Sequence, residues 1–307
     1  MSTGTSTLTS TRSSDPAADD ELDAESVFTL FHYAVRSLGE PPSRAKGGTT
    51  VTDTIVLCYH ALSPTWEANL STTPEHFERQ IALLAGRGYR GATFTQAISS
   101  PSADRTAVIT FDDAFRSVLE LAQPILERFE MPATVFVPTD SIGSETRLCW
   151  PGIDHWLGGP HERELTPMSW DELRTLADAG WEIGSHTGSH PRLTQVDDET
   201  LEDELTRSKA TCEQHLGDPC TSLAYPYGDV DARVVAAAKR AGYSAAAALP
   251  PNLRSRDALE WPRVGIYWTD GNRRFRLKVS PAVRRLRQSA AWDSFGALRG
   301  LAGKHGD

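Results

Sequence analysis

The sequence predicts an α/β fold on a parallel sheet, open or closed into a barrel. Short β-rich runs alternate with helical patterns from Thr54 onward, and strand, helix, strand repetition on this scale means parallel pairing. Three of the helical patterns are followed closely by Gly180, Gly217 and Gly242, where a C-terminal cap belongs. Residues able to do chemistry fall where the strand-like runs stop: Tyr59-His60, Asp112-Asp113, His186-His190 and Tyr225 to Gly228. Strand ends on one side of a parallel sheet converge, and in a barrel they hold the functional residues.

The elements follow in chain order. Residues 1 to about 25 are polar and rich in Ser and Thr, too poor in apolar surface to offset the entropy of ordering, so a disordered N-terminal tail is expected. The spacing of Val27, Phe28, Leu30, Phe31, Val35 and Leu38 predicts an amphipathic helix over 26–38, and GEPPSRAKGGTT after it reads as a linker. Strands are predicted at 55–60, 91–95, 107–112, 133–138, 181–186, 222–226, 243–249 and 262–266, with helices near 74–87, 114–129, 170–179, 197–215 and 231–241. The organisation is then a tail and linker over 1–50, a catalytic domain over 51–270, and a basic helical extension over 271–307. A chain of 307 residues is long enough to bury a large core in a single barrel.

Composition excludes some partners. A formal net charge of -10 argues against a nucleic-acid backbone, which needs clustered Lys and Arg, and leaves a neutral sugar open. Basic residues do gather in RRFRLK and VRRLR over 273–287; this stretch reads as a solvated face, or as a contact for an anionic lipid or phosphate at a membrane. Cys58, Cys149, Cys212 and Cys220 form no Cys-x-x-Cys pair, so they read as buried thiols, with a Cys212–Cys220 bridge only in an oxidising compartment. The N-terminus lacks a basic segment followed by an apolar core, and no apolar run is long enough to span a bilayer, which makes the cytoplasm the default location.

The run AVITF has the length of a buried strand and ends on Asp112 and Asp113. Charges there need a partner, and a divalent cation would serve. With His186 and His190 of SHTGSH, one of the carboxylates makes a three-ligand set common for zinc, which leaves a position open for water. The other carboxylate is then free to take a proton. Taken singly, an Asp-Asp pair is an ordinary helix cap, and a His-x-x-x-His pair arises by chance.

Three motifs in order, TFDDAF, SHTGSH and AYPYG, make residues 54 to about 270 resemble the NodB-type polysaccharide deacetylases of carbohydrate esterase family 4. The resemblance implies a distorted (β/α) barrel of about seven strands. It further implies removal of acetyl groups from an N-acetylated sugar or glycan with a divalent metal, most often Zn2+, with Co2+, Ni2+ and Fe2+ also suited to such ligands. By position, Asp112 matches the general base, Asp113, His186 and His190 match the metal ligands, and Tyr227 matches the residue whose backbone N–H binds the oxyanion. Two departures stand out. Ala224 occupies a position where many members carry an arginine that orients the base; Arg263 in WPRVGI matches an arginine that some relatives carry there, and is otherwise an ordinary ion-pair partner. The Leu-x-His motif that supplies the protonating acid is missing, since the only histidine after Arg263 is His305.

His60 is the substitute candidate, either as the acid or as a residue that orients Asp112. Substrate contact is assigned to Tyr225, and to Trp150 and Trp156 in the long connection between 139 and 169, where the tryptophans stack on sugar rings or form a small local core. Two further functions suit the same residues: an amidohydrolase for a small non-sugar C–N substrate, and an inactive glycan-binding module.

Overall fold

The computed structural model describes residues 53–289, apart from 101, 103, 144–146 and 255–256, together with Trp292. The N-terminal tail, the helix expected at 26–38, the linker and His305 lie outside the described residues.

The strands are β1 (Thr54–Tyr59), β2 (Ala61–Leu62), β3 (Ser71–Thr72), β4 (Arg90–Gly91), β5 (Thr106–Phe111), β6 (Ala133–Val137), β7 (Glu182–Ser185), β8 (Ser222–Ala224), β9 (Ala245–Ala248), β10 (Trp261–Pro262) and β11 (Val264–Gly265). One parallel sheet runs β10-β9-β8-β7-β6-β5-β1-β11, with β4 added beside β5. Its two ends are the two halves of one stretch, interrupted only by Arg263: β10 pairs with β9 and β11 pairs with β1. That stretch nearly closes the sheet into a barrel. Without β4 the barrel has seven staves, because β10 and β11 count as one.

Side-chain alternation along each strand separates two environments. Val56, Val108, Phe136, Ala224, Ala245 and Ala247 pack together inside the barrel with Phe94, while Leu57, Ile109, Phe111, Val135 and Val137 point outward under the helices. To this apolar layer β8 and β9 contribute only alanines. Ala-Ala-Ala-Ala at 245–248 is a poor strand former by propensity, and its burial between two layers overrides that preference.

The helices around the barrel are α1 (Pro74–Gly86), α2 (Phe94–Ser99), α3 (Gln123–Arg128), α4 (Trp170–Asp178), α5 (Asp198–Leu216), α6 (Ala232–Arg240), α7 (Asn272–Lys278) and α8 (Pro281–Gln288). Their starts are capped in sequence: Thr73, Ser169, Asp197 and Asp231 each accept a hydrogen bond from a first-turn backbone N–H, at 3.1, 3.2, 2.8 and 2.9 Å. Gly180, Gly217 and Gly242 take the left-handed conformation after α4, α5 and α6.

Two elements differ from expectation. The strand expected at 91–95 holds only Gly91, and Phe94 begins α2 instead. Gln96 closes a capping interaction on the Thr93 N–H at 3.2 Å, and Phe94, whose N–H donates to Thr134 at 2.9 Å, is drawn fully into the lumen against Phe136. The helix expected near 114–129 is irregular: Ala114 turns, Phe115 bridges to Pro167, Arg116 and Ser117 begin the helix, Val118–Ala122 is a π-helical segment, and α3 follows. Pro124 lacks an N–H, so the ladder cannot run regularly through this point.

The C-terminal helices pack on the barrel. Phe275 and Val279 join the main core, and Arg284 reaches the far end of β1, where it donates to the Thr54 carbonyl at 3.2 Å and pairs with Asp53. Part of the basic stretch is therefore spent internally, with Arg273, Arg276 and Arg285 left exposed. Among the described residues no helix is long and apolar enough to cross a membrane.

Candidate active site

The C-terminal rim of the sheet holds the site, because the backbone ladder continues one rung past several strands. The Asp112 N–H donates to the Tyr59 carbonyl at 3.0 Å, the His186 N–H to Val137 at 2.8 Å, and the Arg263 N–H to Ala248 at 3.0 Å. Each residue is thus fixed at the end of a rigid strand. Immediately beyond, the chain turns sharply. Asp113, Ala114, Thr187, His190 and Tyr227 have φ of 71, 55, 68, 63 and 60°, and among the described non-glycine residues only Glu130 shares that region. Each such conformation costs on the order of 1–3 kcal/mol and persists only where surrounding structure enforces it. Here strain is concentrated where side chains must be aimed.

Asp113, His186 and His190 bring one ligand atom each into a group in which all the atoms lie within 4.8 Å of one another. The Asp113 Oδ1 atom stands 3.5 Å from His186 Nε2 and 3.4 Å from His190 Nε2, and all three residues are buried. The His186 Nδ1 lies 2.8 Å from the Ala224 carbonyl, an acceptor, so this nitrogen carries the proton and the Nε2 lone pair faces Asp113. Burial drives His186 below the ordinary imidazole range and takes His190 down to about 4, which keeps both rings neutral and able to ligate. Burial also raises the Asp113 carboxyl, and its Oδ1 has no hydrogen-bond partner. An orphaned buried carboxylate oxygen between two imidazole lone pairs fits a divalent cation, whose charge would satisfy all three.

Asp112 is held differently. Arg263, 1 % exposed, grips it with both arms, Nη1 to Oδ1 at 2.6 Å and Nη2 to Oδ2 at 2.7 Å, and Nη1 also donates to Thr110 at 3.0 Å. Burial opposes the charge on Asp112, but the Arg263 guanidinium, helped by His186, outweighs it and holds the carboxyl well below the usual range. Asp112 Oδ2 lies 4.0 Å from His186 Nε2, so this ionised carboxylate borders the candidate metal position without belonging to the ligand group. His60 follows β1 and is partly exposed; one of its ring nitrogens lies within 4.8 Å of an Asp112 oxygen, its Nδ1 is buried without a partner, and burial lowers its pKa.

The aromatic candidates separate. Trp150 is buried and stacks on His190 with ring centroids 4.2 Å apart, so its inner face supports a candidate ligand. The Tyr227 ring meets the same histidine edge-on at 4.7 Å and carries Arg192 above it at 4.2 Å. Trp156 is only partly buried and sits edge-on to Trp66 and His161. Tyr225 needs correction as a substrate contact: it is fully buried outside the barrel, and its hydroxyl donates to the Leu259 carbonyl at 2.8 Å. Ala224 faces the barrel interior and Tyr225 the opposite way, and the tight turn Pro226–Gly228, with Tyr227 at φ 60°, is what carries Tyr227 to His190.

One residue in the site's frame escapes sequence reading altogether. Glu204 on α5 is buried, and it accepts from the Gly188 and Ser189 N–H groups at 2.7 and 2.9 Å and from the Ser189 hydroxyl at 2.6 Å. It clamps the turn between the two histidines. A Cβ on Gly188 would meet Arg207 Nη2 at 2.5 Å and the Glu204 carboxylate at 3.0 Å, so a larger residue there would crowd the clamp. Glu204 lies in a polar helical stretch with no local motif to mark it.

Comparison with known proteins agrees with this geometry. The family model described as polysaccharide deacetylase matches residues 99–246, a span that contains TFDDAF, SHTGSH and AYPYG but neither His60 nor Arg263. YxkH of Bacillus subtilis is 26% identical over 234 residues, covering 74% of this chain and 72% of its own length. A poly-β-1,6-N-acetyl-D-glucosamine N-deacetylase of Staphylococcus aureus is 25% identical over 187 residues, 57% of this chain and 59% of that enzyme. Among solved structures, the polysaccharide deacetylase BC0361 of Bacillus cereus superposes with a TM-score of 0.61 at 24% identity, covering 74% of this chain and 69% of that one. The Streptococcus pyogenes deacetylase PplD, in complex with acetate, gives 0.61 at 22% identity, covering 74% and 98%. The barrel, the three motifs and the family match agree: residues 99–246 are similar to the polysaccharide deacetylase family.

Proposed function

We propose that the protein is a metal-dependent hydrolase that removes the N-acetyl group from an N-acetylhexosamine in a glycan or sugar conjugate. The observation that carries this reading is the buried convergence of Asp113, His186 and His190 beside the separately anchored Asp112. A divalent cation on the first three, zinc being the most suitable, would supply Lewis-acid polarisation of the acetamide carbonyl and acidify water. The chain's own residues do the rest. Asp112, ionised and aimed by Arg263, takes the proton from the attacking water. The backbone N–H of Tyr227, presented by its left-handed turn, meets the developing oxyanion; a single donor of this type is worth about 2.7–4 kcal/mol of transition-state stabilisation. His60, one of whose ring nitrogens lies within 4.8 Å of an Asp112 oxygen, donates the proton that lets the amine leave. Trp150 holds His190 in place, and Trp156 offers an aromatic edge to the sugar. A cytoplasmic location and an intracellular glycan intermediate complete the proposal.

Acetate release from N-acetylglucosamine oligomers tests it. The zinc-loaded protein is expected to release acetate, and Asp112→Asn to lose about 100- to 10,000-fold in kcat with its metal content unchanged. His60→Gln is expected to lower kcat by a similar order with metal retained, and near-normal turnover would remove His60 from the mechanism. Turnover of small amides or cyclic imides with none of sugars would move the substrate class, and sugar binding without hydrolysis would leave a binding module.

A further inference from the structure

We propose that Cys58 is a positioning residue for the reaction: its thiol donates a hydrogen bond to Asp112 and, together with the Arg263 fork, fixes the direction in which the carboxylate receives a proton. The inference rests on Asp112 being the general base. In the register of the sheet Cys58 stands opposite Thr110 on β5 and Gly265 on β11, and alternation with the outward Leu57 and Tyr59 turns its side chain into the barrel. There it shares a layer with Thr110 and Arg263, directly under the rim.

The Cys58 Sγ atom lies 3.5 Å from Asp112 Oδ2 and 4.0 Å from its other acceptor, the Tyr59 carbonyl. The carboxylate is nearer and charged, and a charged acceptor makes the stronger bond. Cys58 is fully buried, and burial pushes its thiol pKa well up, so the S–H is retained as a donor. The Cys58, His60 and Asp112 ligand atoms also lie within 4.8 Å of one another, which raises a second metal position as the rival reading. Arg263 argues against it: its guanidinium already occupies both Asp112 oxygens, and a fixed cation there repels another.

The donors around Asp112 then account for its orientation. Oδ1 takes Nη1 of Arg263, and Oδ2 takes Nη2 and the thiol, which leaves Oδ2 directed toward His186 Nε2 at 4.0 Å. That opening is where the attacking water must stand. Without the thiol, Arg263 still holds the charge, but the carboxylate can tilt into the space the sulfur filled.

The test uses the full chain loaded with zinc and N-acetylglucosamine oligomers as substrate. Cys58→Ala is expected to lower kcat about ten-fold, with KM within about two-fold and bound zinc unchanged, and Cys58→Ser, which restores a donor, to recover most of the loss. In infrared difference spectra the Cys58 S–H stretch should sit at the low frequency of a strongly bonded thiol and rise in Asp112→Asn, whose neutral amide is a weaker acceptor. Wild-type kcat in Cys58→Ala, no recovery in Cys58→Ser, or an S–H band at the free-thiol position would overturn the proposal. If the wild-type protein releases no acetate, the functional reading fails, while the infrared band still decides whether the thiol bonds to Asp112.

Discussion

Arg263 decides more about Asp112 than any neighbour in sequence does. The two residues are 151 positions apart, nearly solvent-free, and joined by two hydrogen bonds. Removing one partner of such a pair leaves an uncompensated buried charge, so Arg263→Met is expected to cost about 3–5 kcal/mol of unfolding free energy in a denaturant titration. Arg263→Lys keeps the charge but not the fork, and should recover stability better than turnover. A fully stable Arg263→Met variant would mean that this pair is not dry. The Ala224 backbone carbonyl fixes the His186 tautomer. At this scale residue types and spacing do not show that two of them meet; the family resemblance alone pointed Arg263 toward Asp112.

Among the elements, α5 has the least obvious role. It is polar, its inward face carries Leu201, Glu204, Leu205, Ser208 and Cys212, and it presents Glu204 to the turn that carries Thr187 to His190. Glu204→Gln places an amide N–H2 among backbone donors and should loosen that turn. The expected outcome is zinc affinity lower by about 10- to 100-fold in a chelator competition, with far-ultraviolet circular dichroism unchanged. Unaltered affinity would show that the turn holds its shape without the clamp. The same scale explains the misread strand at 91–95. Thr, Phe and Thr favour a strand locally, yet the capping interaction of Gln96 with Thr93 and the seat for Phe94 inside the barrel win.

For the whole molecule, closure joins the ends of the fold. Asp53 at the start of β1 meets Arg284 of α8 and the Tyr89 hydroxyl. Burial raises the Asp53 carboxyl, but the Arg284 hydrogen bond and charge outweigh it, and its folded pKa falls below the usual aspartate value. A depressed carboxylate stabilises the folded state above its unfolded pKa, and that contribution is lost as pH falls through the folded value. Asp53→Asn should therefore lower Tm at neutral pH and converge with wild type in acid, once the pH has fallen through the depressed folded pKa, which a Tm series across pH will check. Parallel curves would assign the tether no ionic share.

The alternation of strands and helices, the C-terminal caps at Gly180, Gly217 and Gly242, and the presence of a carboxylate-imidazole set were all legible in the chain. Those features depend on local spacing and hydrogen-bonding chemistry, which a sequence carries directly. Only the tertiary structure decided that one stretch around Arg263 closes the barrel, that Tyr225 turns into a core while Tyr227 reaches the rim, and that Glu204 and Cys58 stand beside the site. These are contacts between residues far apart in the chain, and what fixes them is the register and the inward or outward alternation of strands, which no local pattern encodes.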